Sequence, residues 1–325
     1  MSDASDPVGT DLGTDRLLTY LGPPGSFTHA AVDLLEAPWP GQVEPRDSVA
    51  DVIFSVESGE ADAGVVPLET SVEGDVSSTI DELVFRSSMC FINEELIVPV
   101  NYVVAGTAGA RAAGIERVVT TTVAAAQCRR FLEGADAEVE LVDSIAAACR
   151  RVADAGDDAT VALTSAKAAR LHSLAVLRAA AEDHSGTATR MALLTRRLAA
   201  QTGHDRTVIV VTPIGDRTGV LADILDCFAE RDIALTAISS RPVRTRAGEY
   251  CFLLTARSHL SDTRLQDTLR AVTGLPAEVK VLGSFPLAEA STVARVDESA
   301  PPGSVGADTL DAWIAALLDP ERLGL

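Results

Sequence analysis

For most of its length the chain alternates short apolar runs with segments of helical periodicity, the pattern of successive βα units. Residues 16–21 read as a strand and Gly22-Pro23-Pro24-Gly25 as a turn. Ser26 then caps a helix whose apolar face carries Phe27, Ala30, Ala31 and Leu34. Ser48 caps a second helix, residues 63–67 form a short buried strand, and a helix with Ile80, Leu83 and Val84 begins near Ser77 or Ser78. Residues 90–106 are a long extended run, suited to crossing between two lobes. Strands over 117–120, 138–142 and 160–163 then alternate with helices over 123–132 and 145–153 and a short helix capped by Ser165. Residues 176–180 lead into a last apolar strand, Met191 to Leu194. The pattern predicts two α/β subdomains of parallel or mixed sheet with a cleft between them.

After a polar linker near residues 201–205 the order changes. A strand over 207–212 is followed by a turn at Asp216-Arg217-Thr218-Gly219 and a helix through Val220, Leu221, Ile224, Leu225 and Phe228. A hairpin over 233–242 and 249–256, a helix over 261–272 and a strand over 278–285 complete a β-α-β-β-α-β order, which is ferredoxin-like. No catalytic cluster falls in it, so it reads as a binding or assembly module. The expected partition is a tail over 1–15, the two-lobed domain over 16–200, the second domain over 206–286, and a linker with a terminal helix over 287–325. That helix would run through Leu310, Trp313, Ile314, Leu317 and Leu318.

Composition narrows the function. The 325 residues are 47% apolar and carry a formal net charge of -20, with Lys167 and Lys280 the only lysines. A nucleic-acid binder or membrane-surface protein needs a basic face, so neither is expected. The five cysteines (Cys90, Cys128, Cys149, Cys227, Cys251) are widely spaced in apolar surroundings and read as reduced core residues. The five histidines show no ligand spacing, so no metal is expected. Residues 1–15 lack the features of a signal peptide, and no apolar run reaches the ~20 residues that span a bilayer. A soluble cytoplasmic protein is the expectation.

Three stretches carry candidate chemistry. The Ser26 helix start presents backbone N–H groups that can cradle an anion, or is an ordinary βα connection. Glu69, Thr70 and Ser71 stand at the carboxyl end of a strand, where open α/β sheets bind ligands, or form a solvated loop. Thr189 and Arg190 open the last strand of the lobes. A hydroxyl beside a guanidinium fork suits a carboxylate, and a surface arginine is the plain alternative.

Taken in order, these stretches resemble the bacterial prephenate dehydratase family with a C-terminal ACT regulatory domain, over roughly residues 16–286. YLGPPGSFTHAA from Tyr20 is similar to the family's opening glycine motif, and VVPLETSVEGDV from Val65 to its P-I-E-N-S-x-E-G-x-V loop. Gln127 falls on a family glutamine, and Thr189-Arg190-Met191 on its T-R-F motif. Gly219-Val220-Leu221 matches a P-G-A-L loop, and Ser239-Ser240-Arg241-Pro242 matches E-S-R-P.

The resemblance implies a two-lobed catalytic domain like periplasmic binding proteins, joined to a ferredoxin-like ACT domain, in a homodimer or homotetramer. It implies loss of water and carbon dioxide from prephenate to give phenylpyruvate, without a cofactor, under control by phenylalanine. The implied catalytic residues are Thr189, Arg190 and Glu69, and the substrate-binding residues are Gly25, Ser26, Phe27, Thr70, Ser71, Gln127, Ser165 and Thr187. The implied allosteric residues are Asp216, Gly219, Val220, Leu221, Ser239, Ser240, Arg241 and Pro242. Arg190 and the Ser26 helix start would each hold a carboxylate, Thr189 would bind the departing hydroxyl, and Glu69 would supply its proton.

The chain departs from the pattern at Thr70, Met191, Thr218 and Ser239, and near Gly186 and Thr187. Those departures leave open a prephenate decarboxylase, an arogenate dehydratase variant or a non-catalytic amino-acid sensor. Retention of Glu69, Gln127, Thr189 and Arg190 together argues for the enzyme.

Overall fold

The computed structural model describes residues 16–71, 74–111, 114–215, 217–243 and 249–288, together with 304, 306 and 314. Nearly all of them belong to the first of two compact units, Met1–Ser291. The expected terminal helix, Asp216 and the hairpin turn at Arg246-Ala247-Gly248 lie outside the described residues.

The first lobe is built from β1 (Leu17–Leu21), α1 (Phe27–Val32), β2 (Gln42–Arg46), α2 (Val49–Ser58), β3 (Ala63–Thr70), β4 (Gly74–Asp75), α3 (Ser77–Phe85) and β5 (Phe91–Pro99). Local chemistry sets several of its boundaries. Ser26 accepts from the His29 amide at the start of α1, Ser48 from the Asp51 amide at the start of α2, and left-handed Gly59 ends α2. Leu34 falls beyond α1 and is exposed, not part of its apolar face. The polar strand β2, absent from the apolar pattern, is an edge strand parallel to β1, where Pro45 is tolerated.

The second lobe holds β6 (Val103–Gly106), β7 (Arg117–Thr120), α4 (Thr122–Gln127), α5 (Arg129–Ala135), β8 (Glu138–Leu141), α6 (Ile145–Ala155), β9 (Thr160–Thr164), α7 (Ala166–Leu171) and β10 (Ala175–Arg178). They form a five-stranded mixed sheet in the order β10-β6-β9-β7-β8. Where one helix was expected over 123–132 there are two, broken at Cys128. The amides of Arg129 and Arg130 donate to the Asp183 carboxylate at 3.0 Å each, so an acid from a distant segment caps α5.

The chain returns through β11 (Ala188–Thr195), which runs between β3 and β5 in the first lobe. This strand is longer than the expected Met191 to Leu194, because both neighbours pair with it along its length; Thr189 and Arg190 therefore lie within the strand. Then come β12 (Asp205–Pro213), α8 (Val220–Ala229), β13 (Leu235–Pro242), β14 (Tyr250–Ala256), α9 (Thr263–Gly274) and β15 (Ala277–Pro286), in the β-α-β-β-α-β order.

These strands continue the first lobe's sheet, giving ten strands with the path β13-β14-β12-β15-β5-β11-β3-β1-β2 and β4 beside β3. The joint is a single parallel pairing, Gly283 with Ile92, where a Cβ on Gly283 would overlap the Ile92 carbonyl. One apolar core spans the joint, from Val52, Val66, Leu83 and Leu194 to Val208, Val210, Leu253 and Phe285. A second core, on the other face of the first lobe, holds Leu18, Val65, Leu96, Met191 and Leu193.

Candidate active site

Two segments cross between the lobes, from β5 to β6 and from β10 to β11, and they are bonded to each other. Val100 donates to the Thr187 carbonyl at 2.9 Å and Ala181 to the Tyr102 carbonyl at 3.0 Å. The Tyr102 amide donates to Glu182 at 2.9 Å and the Thr187 hydroxyl to the Val100 carbonyl at 3.3 Å. A cavity of about 120 Å³ lies against this crossing.

Its walls come from six places in the chain. Phe27 enters from α1, Thr70 and Ser71 from the end of β3, and Val123 and Gln127 from α4. Val100 and Tyr102 come from the outgoing crossing, Thr187 from the return, and Ala188 and Thr189 from β11. Of the residues proposed from sequence, the fold thus brings together Phe27, Thr70, Ser71, Gln127, Thr187 and Thr189. Val100, Tyr102, Val123 and Ala188 were not anticipated. Val100 and Tyr102 fall in the extended run at the crossing and Val123 in an expected helix, patterns that do not say what they face.

Thr70 and Thr189 are register partners on neighbouring strands and share a face. No hydrogen bond among the described residues occupies the Thr189 hydroxyl, and Thr189 is 7% exposed. Ser71 Oγ accepts from the Ala188 amide at 3.0 Å, which leaves its own proton to donate. Gln127 Oε1 is buried without a partner among the described residues. Phe27 and Tyr102 meet edge to face, with centroids 5.5 Å apart. Burial pushes the Tyr102 phenol up, with smaller contributions from Cys128 and Glu182, so it is a hydrogen-bond donor at neutral pH. Burial likewise pushes the Cys128 thiol up to about 12, which makes it a core thiol and not a nucleophile.

Arg190 and Glu69 do not line the cavity. Successive strand residues point to opposite faces, so when Thr189 and Thr70 face the cavity, their neighbours Arg190 and Glu69 face away. There Arg190 Nη1 lies 2.6 Å from Glu69 Oε2, and Arg190 Nη2 lies 2.6 Å from Glu95 Oε1. Arg190, expected as a carboxylate anchor, and Glu69, expected as an acid, are therefore not brought together with the cavity hydroxyls; they pair with each other on the far face.

Gly25, Ser26 and Ser165 also lie outside the cavity lining. They brace the lobes from another side. Ser165 caps α7 and donates to the Gly25 carbonyl at 2.8 Å, and the Gly25 amide donates to His29 Nδ1 at 3.0 Å. Lys167 reaches from α7 to the His29 carbonyl at 2.9 Å and Asp33 at 2.6 Å. Burial holds the His29 imidazole below its usual range; Lys167 adds to this and Asp33 opposes it. Ser26 Oγ serves the cap of α1, a short helix whose start is used internally.

In the ferredoxin-like unit, Gly219 begins α8 with φ 86°, and Val220 and Leu221 are half-buried in its first turn. On β13, Ser240 and Pro242 are exposed, whereas Ser239 and Arg241 turn toward the first lobe. Arg241 Nη2 pairs with Asp75 at 3.0 Å and Nη1 donates to Ser77 Oγ at 3.0 Å; Ser239 donates to Asp75 at 3.3 Å. No hydrogen bond or ion pair among the described residues joins this group to Gly219, Val220 or Leu221. Nor does any cluster of three or more His, Cys, Asp or Glu able to hold a metal occur among the described residues. No helix among them is long and apolar enough to cross a membrane.

Comparison with known proteins gives a consistent family. The prephenate dehydratase family model matches residues 18–199. A prephenate dehydratase of Mycolicibacterium vanbaalenii is 36% identical over 302 residues, covering 87% of this chain and 96% of the relative. One from Mycobacterium tuberculosis is 35% identical over 286 residues, covering 84% and 88% respectively. Among solved structures, the prephenate dehydratase of Arthrobacter aurescens in complex with L-Phe matches with a TM-score of 0.76 at 32% identity, over 93% of this chain and 99% of that one.

Proposed function

Because the chain belongs to the prephenate dehydratase family, we propose that it converts prephenate to phenylpyruvate in the cavity between its two lobes. The ring carboxylate leaves as carbon dioxide, its bonding electrons enter the ring, and the C–O bond at the opposite carbon breaks; the departing hydroxide takes a proton from solvent and leaves as water. Aromatisation drives both cleavages. The observation that supports this reading best is the hydroxyl of buried Thr189, without a hydrogen-bond partner among the described residues and set beside Thr70, Ser71 and Gln127. Thr189 donates to the departing oxygen as charge develops there. Ser71 and Gln127 offer polar contacts for the substrate, and Phe27, Val100, Tyr102 and Val123 pack against the ring and exclude water.

The direct test is purified protein with prephenate. Appearance of phenylpyruvate, read by its absorbance in alkali, is expected. A non-aromatic keto acid would mark a decarboxylase instead, and no turnover would mark a sensor.

In the same reading, residues 16–200 carry the reaction and residues 206–286 form an ACT domain that binds phenylalanine. Asp75 supports a route between them: it belongs to β4, which pairs with Glu69 and Thr70 of β3, and it is held by Arg241 and Ser239 of β13. A glutamate at position 239 would set a second carboxylate against Asp75 and compete for Arg241. Ser239→Glu is therefore expected to weaken inhibition by phenylalanine, raising the half-inhibiting concentration about fivefold, the scale of ~1 kcal/mol of coupling. Titration of activity with phenylalanine checks this, and unchanged or tighter inhibition would contradict it.

Assembly follows from the sheet. β13 is an edge strand, with Ile238 half-exposed on it and Tyr250 half-exposed on the adjoining β14, the situation that strand pairing with a second copy relieves. A homodimer or homotetramer is expected by light scattering at micromolar concentration; a stable monomer would contradict it.

A further inference from the structure

The charged cluster on the far face of β3, β11 and β5 has no part in the proposed chemistry, yet it backs directly onto the strand pair that carries Thr189 and Thr70. Glu95, on β5, has the most buried side chain in it, 1% exposed. Its Oε1 is shared by two guanidiniums, Arg190 at 2.6 Å and Arg206 at 3.3 Å. Arg190 is in turn held from the other side by Glu69 at 2.6 Å.

Beside Arg190 the regular ladder lapses. Arg190 opposes Glu69, but Met191 opposes Pro67, so Leu68 is surplus and the strand pair bulges. Bulges re-aim side chains and leave the backbone locally unpaired. The Thr189–Thr70 pair and the Arg190–Glu69 pair are the last two regular steps before this irregularity, on opposite faces of the sheet. A fork clamped between carboxylates on both flanking strands can fix such a point where the ladder does not.

Stability is a poor account of the cluster. Buried ion pairs seldom gain over apolar packing, and here Nε of both Arg190 and Arg206 has no partner among the described residues. A defined geometry is what the arrangement supplies. Arg206 lies on β12, so the same carboxylate joins the catalytic strands to the first strand of the ferredoxin-like unit.

We infer that Glu95 is a positioning residue for the dehydration: through Arg190 it holds the bulged β3–β11 pair in which Thr189 and Thr70 meet, and through Arg206 it ties that pair to β12. The inference rests on the reading of the cavity as the site of prephenate turnover.

Glu95→Gln keeps the size and one acceptor oxygen but removes the charge. A folded variant, with its circular dichroism spectrum preserved, is expected to show kcat for prephenate down about tenfold and KM within about twofold, because bound substrate meets a misplaced hydroxyl. If Glu95→Gln does not fold, Arg206→Gln carries the test, and a several-fold fall in kcat with KM held is expected. Wild-type kcat in the folded variant, or a change confined to KM, overturns the inference. Wild-type protein that makes no phenylpyruvate would remove the functional reading first, and so is told apart from failure of this one.

Discussion

Replacing Thr189 by alanine is expected to lower kcat at least ~10²-fold while the protein still folds, the usual scale for losing one hydrogen bond made chiefly in the transition state. The residue sits in β11 between β3 and β5, so its backbone is fixed by ladders on both sides. Its hydroxyl has no partner among the described residues and lines the cavity. A threonine hydroxyl is too weak an acid to protonate a leaving group outright, so its contribution is a hydrogen bond that strengthens as negative charge grows on the departing oxygen. Thr189→Ser restores the hydroxyl and is expected to keep kcat within about tenfold of wild type, the loss reflecting only a freer rotamer. Steady-state kinetics of the two variants, with a melting curve for each, decides the point. Wild-type kcat in the alanine variant would take Thr189 out of the reaction.

That the neighbouring Arg190 takes the opposite face of the sheet shows where the sequence stops being informative. The pair Thr189-Arg190 reads as one site because the residues are adjacent, but adjacency on a strand puts side chains on opposite faces. The same rule separates Thr70 from Glu69. An apolar run from Met191 marks the strand without saying that it begins at Ala188, since that depends on β3 and β5 lying alongside.

Local signals were legible wherever they were self-contained. Ser26, Ser48 and Ser165 cap the helices they were expected to cap, and the β-α-β-β-α-β order follows from periodicity alone. What was not legible involves partners far apart in the chain. Asp183 breaks the helix at Cys128 from 54 residues away, measured to Arg129. Arg241 finds Asp75 across 166 residues, and Glu95 meets Arg206 across 111. Tyr102 enters the cavity only because the two crossings are bonded together. Charge and hydroxyl content identify such residues as candidates, but only the topology assigns their faces.

The second large effect is expected at Gly25, which the sequence placed in a substrate-binding loop and the structure places in the brace between the lobes. Its φ of 93° is left-handed, and a Cβ there would lie 2.9 Å from both Cα and Cβ of Ala168 in α7. Alanine therefore meets two separate costs, about 1–2 kcal/mol for the backbone conformation and about 1–3 kcal/mol for overpacking against a helix backbone that cannot swing aside. A total of roughly 2–5 kcal/mol is a large share of the ~5–15 kcal/mol by which folded proteins are stable. Relief would come from parting α1 and α7, which breaks the Ser165 bond to the Gly25 carbonyl and strains the reach of Lys167 to His29 and Asp33. Phe27 opens α1 two residues on and walls the cavity, so the displacement carries into the site. Gly25→Ala is expected to melt at least ~5 °C lower than wild type and to lose kcat/KM for prephenate together with stability. Ser165→Ala removes only the cap and one bond, and is expected to cost about 1–2 kcal/mol with the cavity kept. Melting curves and kinetics on both variants test the ranking. A Gly25→Ala protein with the wild-type melting point and turnover would show that α7 yields to the added methyl and that this contact does not hold the lobes.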